Sequence, residues 1–110
     1  MVAAVIAFVL LGSPQANLRV TVWPNGRTGA RVVATVHCPS ASPACRKLAT
    51  VPGNPFAPTP PGMMCTDIYG GPEEAIVTGT FRGQKVWAHF TRRDGCAIAR
   101  WNRIAFLFAK

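Results

Sequence analysis

The chain has 110 residues, of which 12 are Lys or Arg and 4 are Asp or Glu, so its formal charge at pH 7 is +8. This length allows one domain at most, which excludes multidomain architectures and leaves only a small hydrophobic core. The positive charge favours solubility, or an anionic partner such as nucleic acid, an anionic polymer or an acidic protein.

The N-terminal segment has the pattern of a secretory signal. Residues 1–11 form an uncharged apolar run, and residues 12–16 are a helix-breaking stretch that ends in a small residue. The run is shorter than the about 20 residues that a membrane-spanning helix needs. We therefore predict a signal peptide over residues 1–16 that lacks the usual basic start and is cleaved after Ala16. A buried N-terminal strand or helix is the alternative. Residues 17–110 are then a single secreted domain that keeps every charged residue.

The first half of that domain contains a hairpin and a short helix. Residues 18–23 and 30–37 alternate apolar and polar side chains around a turn at Pro24-Asn25-Gly26, which predicts two paired strands. Residues 43–51 carry apolar groups at helical spacing, with Ser42 as the N-cap. Five prolines among residues 52–62 keep the next stretch extended and outside any central strand.

The second half predicts another hairpin, a helix and a last strand. Residues 75–81 and 85–90 pair across a turn, residues 96–101 form a short helix, and the apolar residues 104–108 close the chain as a strand. Short connections favour antiparallel pairing. The predicted class is α+β, with a five-stranded antiparallel sheet and two short helices packed on one face.

Several predicted strands carry apolar residues on both faces. In residues 85–90, for example, Val86, Ala88 and Phe90 lie opposite Trp87. The helices can cover only one face, so we expect a second subunit to cover the other. The prediction is a homodimer formed through the sheet.

The chain contains four cysteines, at Cys38, Cys45, Cys65 and Cys96. An even number in a short secreted chain favours two disulfides. A metal site built from these cysteines with His37 and His89 would lack the spacings that zinc sites use, so we predict no metal and no cofactor.

Residues 64–72, Met-Cys-Thr-Asp-Ile-Tyr-Gly-Gly-Pro, form a short stretch that is tethered by a cysteine and has few ways to be helical. A protease binds an extended, exposed segment of this kind as a substrate. If the tether holds the segment rigid, it acts as an inhibitor, because pre-organisation removes part of the entropy cost of binding.

These residues resemble a known family. The stretch from Cys65 to Pro72, Thr-Gly-Thr-Phe-Arg-Gly at 78–83, Arg-Asp-Gly-Cys at 93–96 and Ala-Phe-Leu-Phe at 105–108 are similar to motifs of the subtilisin inhibitor-like family. The resemblance covers roughly residues 18–108. It implies the five-stranded sheet, a dimer formed by sheet stacking, and disulfides from Cys38 to Cys45 and from Cys65 to Cys96.

The resemblance also implies a reactive-site loop at about residues 62–72, with the reactive bond between Asp67 and Ile68. The protease-binding positions are P4 to P1 at Met64, Cys65, Thr66 and Asp67, and P1′ to P3′ at Ile68, Tyr69 and Gly70. Two features depart from the family pattern: the first disulfide closes a short loop, and the P1 residue is an acid where long apolar or basic residues are common. The predicted function is a secreted inhibitor of subtilisin-like or acid-preferring serine proteases.

Two other classes of function compete with this one. An enzyme is poorly supported, because no serine or cysteine nucleophile lies in a recognisable setting beside a histidine. The alternative function is a secreted basic protein that binds nucleic acid or an anionic polymer, because basic and aromatic residues alternate in the C-terminal half. These residues are Arg82, Lys85, Arg92, Arg93, Arg100 and Arg103, with Trp87, Phe90 and Trp101 between them.

Overall fold

The computed structural model describes residues 14–108. Its four strands are β1 (Ala16–Trp23), β2 (Val32–Cys38), β3 (Glu74–Phe81) and β4 (Gln84–Phe90). Its two α-helices are α1 (Pro43–Leu48) and α2 (Gly95–Arg103), and a 3-10 turn follows at Ala105–Leu107. Within this described range, no helix is long and apolar enough to cross a membrane.

Most of the predicted signal peptide, residues 1–13, lies outside the described residues. The last residues of that segment contact the fold. The carbonyl of Gln15 accepts a hydrogen bond from the backbone N–H of Arg82 at 2.7 Å, and Ala16 is buried at the start of β1.

The strands form one antiparallel sheet in the order β2-β1-β3-β4. Val20 of β1 lies opposite Ala34 of β2 on one side and Val77 of β3 on the other, and Val77 lies opposite Ala88 of β4. The predicted hairpins β1–β2 and β3–β4 are therefore both present, and β1–β3 is the long-range pair that joins them.

One face of the sheet carries the core. Leu18, Val20, Val77 and Phe90 are buried on this face, because side chains of one strand alternate between the two faces. Both helices and the 3-10 turn cover the same face. They contribute Cys45, Leu48, Trp101, Ile104, Leu107 and Phe108 to the same buried cluster.

The prediction of a fifth strand at residues 104–108 is wrong. The chain turns at Ile104 and forms the 3-10 turn, with the N–H of Leu107 donating to the Ile104 carbonyl at 2.9 Å. Ile104, Leu107 and Phe108 are buried because their spacing places them on one side of a helical turn. The Phe108 ring packs 4.5 Å from Trp101, between centroids. A five-residue apolar run is compatible with a strand and with a buried turn. Here the run packs against the core face of the four-stranded sheet and does not extend the sheet by a fifth strand.

Side-chain caps define where each helix begins. The Ser42 hydroxyl accepts a hydrogen bond from the N–H of Cys45 at 3.3 Å, which confirms the predicted N-cap of α1. The Asp94 carboxylate accepts from the N–H of Ala97 at 2.8 Å and caps α2. This second cap fixes the position of Gly95 and Cys96 in the first turn of α2.

The proline-rich stretch is anchored to the core at Pro55 and Phe56, which are both buried. Phe56 is buried, and its ring meets Phe81 edge to face with 5.2 Å between centroids. The guanidinium of Arg100 donates from Nε to the Ala57 carbonyl at 3.0 Å. These contacts hold the proline-rich stretch beside α2.

The opposite face of the sheet is open within the described part of the chain. Trp87 is 70 % exposed and Val33 is 42 % exposed, and Ile76 lies on the same face. Large apolar groups on an uncovered sheet face indicate a surface that another molecule can cover.

Candidate functional site

Three of the most exposed large apolar side chains among the described residues lie in the segment Met64–Gly70. Met64 is 95 % exposed, and Ile68 and Tyr69 are 58 % and 67 % exposed. Asp67 is exposed between them, and the segment belongs to no helix or strand. The residues at the predicted reactive bond, Asp67 and Ile68, are therefore both exposed to solvent.

The upstream side of this segment is held on the first turn of α2. Cys65 is joined to Cys96 by a disulfide with 5.3 Å between the Cα atoms. The N–H of Gly95 donates to the carbonyl of Thr66 at 2.9 Å. The two residues before Asp67 are thus both attached to α2, Cys65 by a disulfide and Thr66 by a backbone hydrogen bond.

The downstream side is held by Arg92. The N–H of Gly70 donates to the Arg92 carbonyl at 2.6 Å. The Arg92 side chain returns the contact, because its Nε donates to the Gly70 carbonyl at 3.3 Å and its Nη1 donates to Asn102 Oδ1 at 3.1 Å. The last residue of the segment is therefore paired in both directions with the stretch that precedes α2.

Two glycines allow these close approaches. A Cβ at position 70 would lie 2.8 Å from Cδ1 of Ile98 and 3.1 Å from the Arg92 carbonyl oxygen. A Cβ at position 95 would overlap the hydroxyl of Thr66. A larger residue at either position would require its neighbours to shift, Ile98 and the Arg92 carbonyl at position 70 and the Thr66 side chain at position 95.

The three residues between the anchors make no hydrogen bond to the rest of the described chain. Asp67, Ile68 and Tyr69 bridge from the Thr66–Gly95 contact to the Gly70–Arg92 contact. The result is a short exposed bridge of peptide, including the Asp67–Ile68 bond, with both ends attached to residues 92–96.

A buried carboxylate lies directly downstream of the segment. Glu74 is 7 % exposed, and its oxygens lie 2.8 Å from His89 Nε2, 3.1 Å from Arg93 Nη2 and 3.3 Å from Arg27 Nε. The hydrogen bond from His89 and the nearby positive charges lower the pKa of Glu74, against the opposing effect of burial. Glu74 therefore joins the β1–β2 connection, β4 and the stretch before α2 where the segment returns to the sheet.

The cysteines form the two disulfides that the family resemblance implied. Cys38 is bonded to Cys45, and Cys65 to Cys96. Cys65, Cys96 and Asp94 lie close enough together to suggest a cation site. Their chemistry does not suit one, because the sulfurs are joined to each other and the carboxylate caps α2.

The basic and aromatic residues of the C-terminal half do not form one stacking surface. Phe90 and Trp101 are buried in the core, so of the three interleaved aromatics only Trp87 is exposed. Arg93 is paired with Glu74. This arrangement lacks the row of accessible rings on which single-stranded nucleic acid stacks.

The sequence did not identify the residues that anchor the segment. In the sequence, Arg92 was only one of several basic residues and Gly95 only part of a motif of the resemblance, although these two residues supply the contacts to Gly70 and Thr66. No periodic pattern links positions separated by 22 or more residues, and the Cys65–Cys96 link was the one signal that placed them near each other.

Comparisons with protein-family models, with curated proteins and with solved structures found no match to this chain.

Proposed function

We propose that this protein is a serine protease inhibitor that binds its target as a substrate, with the reactive bond between Asp67 and Ile68. The observation that carries the proposal is that this exposed bond lies between two anchored ends. Thr66 is held by Gly95 and by the neighbouring disulfide, and Gly70 is held by Arg92.

The chemistry follows from these anchors. The protease serine oxygen attacks the Asp67 carbonyl carbon, the bond to the Ile68 nitrogen breaks, and the protease histidine gives its proton to that nitrogen. In a flexible substrate the new amine then diffuses away and water releases the acyl group. Here the amine of Ile68 is kept close to the acyl carbon, so the reverse reaction competes with hydrolysis.

The second disulfide spans the reactive bond. Cys65 lies before the bond and Cys96 lies after it, so a single cut leaves both fragments covalently joined. The Gly70–Arg92 contacts then keep the new N-terminal end near the cut. Met64, Cys65 and Thr66 occupy P4 to P2, and Ile68, Tyr69 and Gly70 occupy P1′ to P3′.

Asp67 determines which proteases fit. An ionised carboxylate in an apolar specificity pocket loses several kcal/mol through desolvation, and in a pocket that contains a buried acid it meets a like charge. The target is therefore a protease whose specificity pocket carries basic or hydroxyl groups, or a subtilisin-like enzyme bound mainly through Met64 and the other flanking positions.

The test compares the native chain with Asp67→Met against subtilisin, trypsin and an acid-specific serine protease. We expect the native chain to inhibit the acid-specific enzyme best, and Asp67→Met to shift inhibition toward subtilisin. A result in which neither variant inhibits any of the three enzymes would overturn the proposal.

We also infer that the protein is secreted and forms a homodimer through the open sheet face. Two disulfides favour an oxidising compartment. Val33, Ile76 and Trp87 supply an apolar surface on the face that the helices leave uncovered. The reactive segment is anchored on α2, away from this face, so dimerisation leaves it accessible.

A further inference from the structure

A groove lies beside the upstream half of the reactive segment. It has a volume of about 490 Å³ and runs between the proline-rich stretch and α2. Ala57 and Pro58 line one side, Ala99 and Arg103 line the other, and Met64 lies at its edge. The groove therefore continues directly from the residues that would occupy P4 to P2 in a protease.

The charge of this groove is entirely positive. Arg100 and Arg103 lie one helical turn apart on α2, and both line the groove. No Asp or Glu is among the lining residues. Arg100 donates only to neutral acceptors, the carbonyls of Ala57 and His89. Among residues 14–108, no carboxylate forms a salt bridge with either arginine.

The two arginines also affect each other. Burial lowers the pKa of Arg100, and the positive charge of Arg103 lowers it further. Arg100 still carries its positive charge at neutral pH, because arginine titrates far above that range. A carboxylate placed between them would relieve their repulsion and accept hydrogen bonds from Arg103.

We propose that this groove binds an acidic side chain of the same protease that binds the segment Met64–Gly70. The inference rests on the proposed function and adds a second contact, outside the specificity pocket of the enzyme. An acidic peptide fits better than nucleic acid, because the lining combines the two arginines with small, proline and methionine side chains and contains no aromatic ring for base stacking.

The experiment measures the groove without any protease. The full chain, labelled at the methionine methyl groups and arginine Nε atoms, is titrated with an acetylated and amidated tetraglutamate peptide and followed by NMR. We expect shifts at Met63, Met64, Arg100 and Arg103. The variant Arg103→Gln should bind the peptide about fivefold more weakly. The matched control is Arg31→Gln, which removes the same charge from the exposed β1–β2 connection and should bind as the native chain does.

Three results would overturn the inference: shifts confined to other surfaces, an equal loss of affinity in Arg31→Gln, or equal shifts with an oligothymidylate of the same charge, which would mark unspecific attraction. Peptide binding and protease inhibition are separate readouts. If the chain binds the peptide but inhibits none of the proteases in the panel, the proposed function is wrong. If the chain inhibits a protease but does not bind the peptide, only the proposal for the groove is wrong.

Discussion

Gly70 and Arg92 are paired in both directions at the end of the segment Met64–Gly70. The Gly70 N–H donates to the Arg92 carbonyl at 2.6 Å, and Arg92 Nε donates to the Gly70 carbonyl at 3.3 Å. The guanidinium also lies 5.9 Å from the centre of the buried Trp101 ring. The residues after the Asp67–Ile68 bond are thus also held by the body of the protein, and under the proposed function these contacts keep the new end in place after a cut.

Replacing Arg92 by Ala removes the side-chain half of this pairing and leaves the backbone half. A hydrogen bond from a charged donor contributes about 1.5 kcal/mol or more, so we expect hydrolysis of the Asp67–Ile68 bond to become about tenfold faster. Mass spectrometry during incubation with an inhibited protease measures the rate. Arg31→Ala is the control for the loss of one charge, and a rate as high in that variant would argue against a role for Arg92.

Removal of either disulfide should lower stability, but only removal of the Cys65–Cys96 disulfide should abolish inhibition. By chain-entropy arguments, the Cys65–Cys96 link, with a sequence separation of 31 residues, stabilises the fold by about 3 to 4 kcal/mol, and the Cys38–Cys45 link, with a separation of 7, by about 2 kcal/mol. The double variant Cys65→Ser/Cys96→Ser should therefore unfold at lower urea concentration and be cleaved as a substrate.

The matched variant Cys38→Ser/Cys45→Ser removes a link in the other part of the fold, between the end of β2 and α1. It should lose stability but keep inhibition. Urea unfolding and an inhibition assay below the unfolding midpoint of each variant measure the two properties. Equal inhibition by both double variants would mean that the Cys65–Cys96 link does not hold the cut ends together.

Glu74 should make stability depend on pH in the acid range. Its folded-state pKa is lowered, so its stabilising contribution is fully present above the ordinary glutamate pKa of about 4.3 and is lost as pH falls through the folded value. Glu74→Gln should cost about 1 to 2 kcal/mol at pH 7, less than for a fully buried ion pair because the cationic partners are partly exposed.

Urea unfolding at pH 7 and pH 3 tests this prediction. The native chain should lose more free energy of unfolding between the two pH values than Glu74→Gln does. The control is Glu73→Gln, because the neighbouring glutamate forms no salt bridge within residues 14–108. The prediction fails if all three proteins show the same pH dependence.

The exposed apolar residues of the open sheet face lead to a separate prediction about the oligomeric state. Trp87→Glu replaces a 70 % exposed indole on this face by a charge and should convert the proposed homodimer to a monomer, because an unpaired charge in an interface is costly. Sedimentation at micromolar concentration gives the mass. Met64→Glu introduces the same charge at a side chain that is 95 % exposed on the reactive segment, and it should remain dimeric. If the native chain sediments as a monomer, the proposal of a dimer is wrong.

Local patterns predicted most of the fold. Alternation around short turns identified both hairpins, and Ser42 before Pro43 identified the start of α1. The apolar run at 104–108 did not reveal its structure, because Phe108 and Ile104 are buried by contacts with Trp101 and the sheet that no local pattern encodes.

The candidate site likewise has a part that the sequence could predict and a part that it could not. Cys65 and the extended sequence after it identified the exposed segment, because this signal lies within a few neighbouring residues of the sequence. The anchors depend on how α2 is placed against that segment. Arg92 and Gly95 therefore became recognisable only from their contacts with Gly70 and Thr66.

The most direct measurement is the intact mass of the disulfide-bonded chain after incubation with an acid-specific serine protease, before and after reduction. We expect a persistent complex and a slow increase by the mass of one water, with fragments ending at Asp67 and beginning at Ile68 that separate only on reduction. Rapid cuts at several sites, or a single cut elsewhere with no complex, would contradict the assignment of this segment as the reactive site of an inhibitor.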